Sequence, residues 1–215
     1  MTIRCRTQSA RWLACLLLTV LCACGAWRTD PLPYADEFDN PDSGWGAERT
    51  GAFERGYEDG GYFIALRRPN WLIWATPGHT FADVSVEADV NAGAGAAVGL
   101  AGVLCRHRNR DNYYLFAITS DGYYGIFRRV GGGALEALTG EGALLSSDAI
   151  VTGDAVNHVQ AVCQGEELSL FVNERPLATV TDTAHTRGDV GLGAASGPAG
   201  QARAEFDNLE VTSPD

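Results

Sequence analysis

The sequence predicts an all-β protein, an antiparallel sandwich formed by one domain, and three observations carry that expectation. Short runs rich in Val, Ile, Tyr, Phe and Trp recur at about the eight-to-twelve-residue spacing of sandwich and barrel folds, with Gly, Asn, Asp and Ser clusters between them. No stretch beyond the N-terminus carries the apolar period of a packed helix, about 3.6 residues. Glycine is abundant, 26 of 215 residues, which suits tight turns and disfavours helix interiors.

The chain opens with Arg4, Arg6 and Arg11, an apolar run from Trp12 to Val20, and then Leu21-Cys22-Ala23-Cys24-Gly25. About ten apolar residues fall well short of the roughly twenty that span a bilayer, so this segment reads as a cleaved secretory signal peptide. Leu21-Cys22-Ala23-Cys24 resembles the bacterial lipobox, a leucine three residues ahead of a cysteine with small residues between. That resemblance implies cleavage before Cys24, lipidation of Cys24 and an extracytoplasmic, membrane-anchored place in the cell envelope. It divides the chain into a signal peptide 1–23, a short tether 24–33 and a domain 34–215. Ordinary cleavage after Ala23 or Ala26 would instead leave a free secreted protein.

The formal net charge is −11, and removing residues 1–23 takes away three arginines and no acids, leaving 13 basic against 27 acidic residues, or −14. A chain of that sign repels phosphate backbones, which excludes nucleic acid as a partner class. About 190 mature residues suffice for one core.

Taken in order, Tyr34 to Asp39 reads as a first strand, followed by the turn cluster Asn40-Pro41-Asp42-Ser43-Gly44, with Phe38 and Trp45 packing inward. Gly51 to Tyr57 and Tyr62 to Leu66 form a hairpin across Glu58-Asp59-Gly60-Gly61, whose Asp-Gly supplies the positive φ a tight turn needs. Trp71 and Trp74 sit in the next strand, one of them facing solvent or a groove. From Phe81 to Asn91, Val84, Val86, Ala88 and Val90 alternate with Ser85, Glu87, Asp89 and Asn91, a half-buried strand. A glycine-rich turn leads into a three-strand meander, Val98 to Cys105, Tyr113 to Ile118 and Tyr124 to Val130, and a short strand falls at Ala134 to Leu138. Asn157 to Gln164 and Glu167 to Asn173 pair over Gly165-Glu166, then come Pro176 to Thr181, Gly188 to Ala194 and Ala202 to Thr212. The alternation of the last strand breaks at Asp207-Asn208, which predicts a bulge.

With Cys24 lipidated, Cys105 and Cys163 are the two remaining mature thiols, and an even pair outside the cytoplasm reads as a disulfide, with two separate buried thiols as the alternative. The segments GVLCRH, DNYYLFAITSDGYYGIFRR, NHVQAVCQGEELSLFVNERPL, GDVGLGA and AEFDNLEV, in that order, resemble the concanavalin A-like lectin and glucanase superfamily, laminin G-like domains included. The resemblance covers nearly the whole mature chain and implies a two-sheet antiparallel jelly roll with a concave, sugar-binding face. One position departs from it: Glu174 stands where the hairpin usually has glycine. Related sandwiches often pin their first and last strands with calcium, which implies Glu37, Asp39 and Asp207 as oxygen ligands for a structural ion.

Laminarinase-type glucanases carry E-x-D-x-x-E on their catalytic strand; here Glu87 and Asp89 match, but the third acid is Ala92, so the pair reads as a solvated strand face. No nucleophile elbow, zinc-protease helix or phosphate-binding glycine loop occurs. His79, His107, His158 and His185 are scattered singly and read as turn or strand-surface residues, and Arg187-Gly188-Asp189 as an ordinary turn. For sugar binding the meander offers Arg106, Tyr114 and Tyr124 on one face, with Trp71 or Trp74 as a platform; the alternative is that these aromatics are core or sheet-covering pairs. The expectation is a lipid-anchored, non-catalytic extracytoplasmic domain binding carbohydrate or another envelope component. A glycoside-processing enzyme of the same fold and a structural partner in an envelope complex are the alternatives.

Overall fold

A computed structural model of the protein describes residues 29–93 and 99–214; the segment expected as a signal peptide, Cys24 and part of the glycine-rich turn before the meander lie outside the described residues. The strands run β1 (Tyr34–Asp36), β2 (Glu48–Arg49), β3 (Phe53–Glu58), β4 (Gly61–Leu66), β5 (Leu72–Ala75), β6 (Val84–Asn91), β7 (Leu100–Asn109) and β8 (Asn112–Thr119). They continue as β9 (Tyr123–Arg129), β10 (Glu136–Ala137), β11 (Leu145–Ser146), β12 (Val156–Gln164), β13 (Glu167–Val172), β14 (Arg175–Thr181), β15 (Asp189–Ala195) and β16 (Ala202–Thr212). No helix occurs among the described residues.

These strands form two stacked antiparallel sheets, the jelly-roll sandwich that the sequence implies. One has the order β14-β13-β12-β6-β16-β4-β3-β2 with β1 beside β16; the other has β10-β9-β8-β7-β15-β5 with β11 beside β9. Val84, Val86, Ala88 and Val90 of β6 turn inward with Ala204, Phe206, Leu209 and Val211 of β16, against Val103, Phe116, Ile118 and Leu192 of the second sheet. The core exists because these strands put every second side chain on one face, and that face is apolar in both sheets.

Turn chemistry accounts for the connections. Asp59 and Gly60 (φ 52° and 82°) close the β3–β4 hairpin as expected. Asn173 and Glu174 both take the left-handed region at 51° and 65°, so the hairpin keeps the usual geometry despite the missing glycine. Asn173 is held there by its own side chain, which donates to Ala149 O and Asn157 Oδ1 and accepts from His158 N. The bulge in β16 lies where the register against β6 shifts, between Asp207 and Glu210, with Asn208 at φ 50°. Phe38 and Trp45 are buried and in edge-on contact.

Two features bear on the ends of the sandwich. Asp30 N donates to Thr80 O at 2.7 Å, Thr80 N donates to Asp30 Oδ2 at 2.6 Å, and Leu32 packs on the core, so the chain expected as tether up to residue 33 is docked from Asp30 onward. Cys105 of β7 and Cys163 of β12, 58 residues apart, form a disulfide that joins one sheet to the other.

Candidate functional site

The outer face of the second sheet is organised around Trp74. On β15, Gly193 lies opposite Trp74 of β5 on one side and Gly102 of β7 on the other. Neither glycine raises a side chain, so the indole reaches across β15 to the imidazole of His107 (5.6 Å between ring centres) and the phenol of Tyr113 (5.8 Å), themselves 5.8 Å apart and stacked. Gly102 is also a packing necessity, since a Cβ there would stand 1.9 Å from Phe116 O. Beyond the aromatic trio the same face is apolar, with Leu104, Leu115, Ala117 and Phe127 as its floor and Leu72, Leu100 and Leu135 beside them.

A slip in strand register brings His107 to this face. Pairing of β7 with β8 shifts between Cys105 and Asn109, and Arg106 takes φ 53°. Arg106 thereby enters the end of the sandwich, only 1 % exposed, where its guanidinium donates to the carbonyls of Ala82, Gly165 and His185 and to Asp83 Oδ1. Gly188 makes room for the slip: a Cβ on it would lie 2.5 Å from the Arg106 carbonyl carbon and 2.6 Å from His107 O.

The ligand face expected from Arg106, Tyr114 and Tyr124 is therefore corrected. Tyr114 and Tyr124 do share a face, but it is the inner one. Tyr114 Oη donates to Asp182 Oδ1 and accepts from His185 N, and Tyr124 Oη donates to Leu177 O across the sandwich. Burial and the neighbouring Asp182 carboxylate push the Tyr114 phenol up to about 12. Of Arg106, Tyr114, Tyr124 and Trp74, only Trp74 stands on the outer surface. The partners it actually has are Tyr113, one position before Tyr114, and His107, one position after Arg106. Trp71 is 37 % exposed and lies under Arg68, 5.3 Å from its ring centre.

Two polar atoms of the trio, His107 Nε2 and Tyr113 Oη, are buried, and the Arg129 side chain interacts with the phenol. Among the described residues seven buried side-chain polar atoms lack a hydrogen-bond partner, and four border this cluster: His107 Nε2, Tyr113 Oη, Arg129 Nε and Arg55 Nε. Arg129 stands opposite Tyr113 on β9, and Arg55 donates to Trp74 O at 2.6 Å. Burial holds His107 down to about 4, so at neutral pH the ring is uncharged with one donor and one acceptor nitrogen. Burial raises the Tyr113 phenol, with Arg129 opposing. Hollows flank the trio on both sides: one of about 220 Å³ between Glu48, Phe53, Arg55 and Trp74, and one of about 450 Å³ that includes His107, Arg108, Arg187 and Asp189. The Asp189 carboxylate is engaged by the backbone N–H groups of Gly78, His79 and Val190, while burial raises its pKa.

Glu87 and Asp89 face solvent from the first sheet, as expected, and bracket His158 of β12, whose Nδ1 is 3.0 Å from Asp89 and Nε2 3.3 Å from Glu87. Burial works against the imidazolium, yet the two carboxylates raise the pKa of His158 on balance. Ala92, in the place of the third acid, is buried in the core. Asp89 also borders a depression of about 240 Å³ with Glu58, Asp59, Glu205 and Asp207. His185 departs from its expected surface position; it is 2 % exposed, with Nε2 donating to Arg129 O. No group of three or more His, Cys, Asp or Glu side chains able to hold a metal ion is present among the described residues, which include Glu37, Asp39 and Asp207.

No known family's sequence pattern matches the chain, and no curated protein matches it. Solved structures do. The carbohydrate-binding module CBM66 from Bacillus subtilis superposes with a TM-score of 0.57 at 17 % identity, covering 84 % of this chain and 95 % of that one. A protein of unknown function with a galectin-like fold from the same organism gives 0.61 at 12 %, over 84 % and 94 % of the two chains. The Bacillus licheniformis beta-glucanase gives 0.59 at 10 %, over 85 % and 98 %. At these identities the likeness establishes the fold, which is the concanavalin A-like jelly roll.

Proposed function

We propose that this concanavalin A-like jelly roll is a non-catalytic carbohydrate-binding domain, anchored through lipidated Cys24 on the outside of a bacterial membrane, and that it holds a saccharide against Trp74 and His107. One observation carries the site: the half-buried rings of Trp74 and His107 stand together on an outer sheet face beside buried polar atoms, among them His107 Nε2, which has no protein partner. A pyranose offers both an apolar face for Trp74 and hydroxyls for His107 Nε2, Tyr113 Oη and Arg129 Nε. Leaving a buried donor or acceptor unpaired costs about 1–3 kcal/mol, so a ligand that satisfies these atoms is held where water alone is a poor substitute. That the structural relatives include a carbohydrate-binding module and a beta-glucanase supports the ligand class. The outward positions of β7, β8 and β9 around the trio, among them Leu104, Leu115 and Phe127, include no carboxylate, which supports the binding reading over hydrolysis by paired acids.

The test is a glycan array on the protein after signal cleavage, followed by titration of the hits. Trp74→Ala is expected to lose binding by tenfold or more, about 1.4 kcal/mol, while Trp71→Ala keeps it. Binding unaffected by Trp74→Ala, or no glycan bound by folded protein, overturns the assignment. A glycoside-processing enzyme is the second reading, favoured by the depression that Asp89 shares with Glu58, Asp59, Glu205 and Asp207. Hydrolysis of an array hit that disappears in Asp89→Asn would establish it.

A further inference from the structure

The segment by which the chain enters the domain is fastened at several points. Asp30 N donates to Thr80 O, and the Asp30 carboxylate accepts from Thr80 N and lies 3.5 Å from His79 Nδ1. Two residues on, Leu32 packs on the core, and the ring of Tyr34 stands 4.6 Å from that of His79. Tyr34 then begins β1, in register with Val211 of β16. Peeling this strap away would break backbone pairing, an aromatic contact and apolar burial together, so the chain leaves the sandwich at Asp30 and not farther in.

The point of exit is next to the candidate site. Thr80 leads into Phe81, which exchanges two backbone hydrogen bonds with Gly188 at 2.8 and 2.9 Å, and Asp189 lies opposite His107. Asp30 therefore stands about three strand spacings, roughly 15 Å, from the backbone of His107. The hollow of about 450 Å³ that His107 borders is walled elsewhere by Gly78, His79 and Thr80. One hollow thus touches both the residue that holds the strap and a residue proposed to hold the saccharide. The β7–β8 turn, residues 109–112, lies at this end of the second sheet. The β8–β9 turn, residues 120–122, lies at the other, separated from it by the eight residues of β8, about 25 Å.

Covalent geometry sets the reach. Cys24 and Asp30 are six residue steps apart, which span at most about 20 Å. A lipid on Cys24 therefore keeps His107 within about 35 Å of the membrane surface and holds this end of the sandwich nearest to it. We infer that the hollow beside His107 faces the membrane that carries the anchor, and that the saccharide held at Trp74 and His107 is the headgroup of a glycolipid in that membrane. This rests on the proposed carbohydrate site and lipid anchor, and adds what bears the ligand. A glycan held farther from the surface is out of reach. A headgroup in the same leaflet is instead presented at the effective concentration of a short tether, of millimolar order, so that a shallow site suffices.

The experiment uses the protein after signal cleavage, in which Cys24 is the thiol left outside the disulfide, coupled through that thiol to maleimide-phosphatidylethanolamine in phosphatidylcholine nanodiscs. With nitroxide-labelled headgroups in the disc, the amide signals of residues 78–80 and 109–112 are expected to broaden strongly and those of 120–122 to stay sharp. In a second set of discs, a saccharide bound on the array is linked to phosphatidylethanolamine, and the same saccharide free in solution competes for the site, followed by the Trp74 indole signal. Displacement should need about tenfold more free saccharide for protein coupled through Cys24 than for the variant Cys24→Ser, Ser120→Cys, which is coupled by its opposite end. Broadening that is equal at the two ends, or stronger at 120–122, overturns the orientation, and equal displacement in the two couplings overturns the membrane-borne ligand; either result leaves the carbohydrate site standing. Binding of no saccharide by folded, uncoupled protein overturns the carbohydrate site and the glycolipid ligand together.

Discussion

Arg106→Met tests the end-network of the sandwich directly. The guanidinium is 1 % exposed and bonds four groups, of which His185 O is deeply buried, Ala82 O is half-buried, and Gly165 O and the Asp83 carboxylate, 49 % exposed, remain open to water. Methionine fills much of the volume but offers no donor. The buried His185 carbonyl then loses its partner at about 1–3 kcal/mol and Ala82 O part of that, whereas Asp83 keeps Gly165 N–H and hydration. The sum is about 3 kcal/mol, at the low end of what breaking a buried pair costs. Arg106→Lys keeps the charge and loses the fork that reaches three loops, so its loss should be intermediate. Guanidinium unfolding followed by tryptophan fluorescence measures both, since a fall in midpoint at unchanged slope reports stability alone. A loss below about 1 kcal/mol for Arg106→Met would refute the reasoning.

Opening the Cys105–Cys163 bridge by serine substitution at both positions should cost about 4 kcal/mol on the chain-entropy account for a 58-residue separation, read as the difference between wild type and variant under oxidising conditions; no difference refutes it. His158 has a raised pKa, so its pairing with Glu87 and Asp89 adds stability fully present below its unfolded value of about 6.5 and lost as pH rises through the folded one. The melting-temperature advantage of wild type over His158→Gln should thus be larger at pH 6 than at pH 9, and an equal advantage at both would contradict the assignment. His107, held down to about 4, has the opposite sign: stability is lost as pH falls from about 6.5 toward 4, and His107→Gln should flatten that decline. Gly188→Ala forces a Cβ to 2.5 Å from the Arg106 backbone, which should destabilise the protein by about 1–3 kcal/mol and weaken saccharide binding together, as melting and titration would show.

The fold was legible because β6 alternates cleanly and the Asp-Gly and Gly-Glu turns mark the hairpins, and the disulfide because two thiols were left to pair. The residues of the candidate site were legible only to within one position. Strand periodicity says that Tyr114 and Tyr124 share a face, but in β8 both faces are apolar, Tyr113, Leu115 and Ala117 on one and Tyr114, Phe116 and Ile118 on the other, so no alternation marks the inside. Arg106 sits in an Arg-His-Arg-Asn run that reads as solvated. Its burial depends on a bulge with positive φ at a non-glycine residue, for which the local sequence carries no signal. The bracketing of His158 by Glu87 and Asp89 is fixed by the register of β6 against β12, a pairing of segments about seventy residues apart.

The placement of the disulfide ties the site to the redox state of its surroundings. Cys105 is the residue before Arg106 and two before His107, so the same bond that fastens one sheet to the other also anchors the strand slip that turns the imidazole outward. With both thiols reduced, as glutathione keeps them in a cytosol, the chain would have Trp74, His107 and Tyr113 without the covalent anchor beside them. Under the proposed function, competence to bind would then begin with formation of this bond.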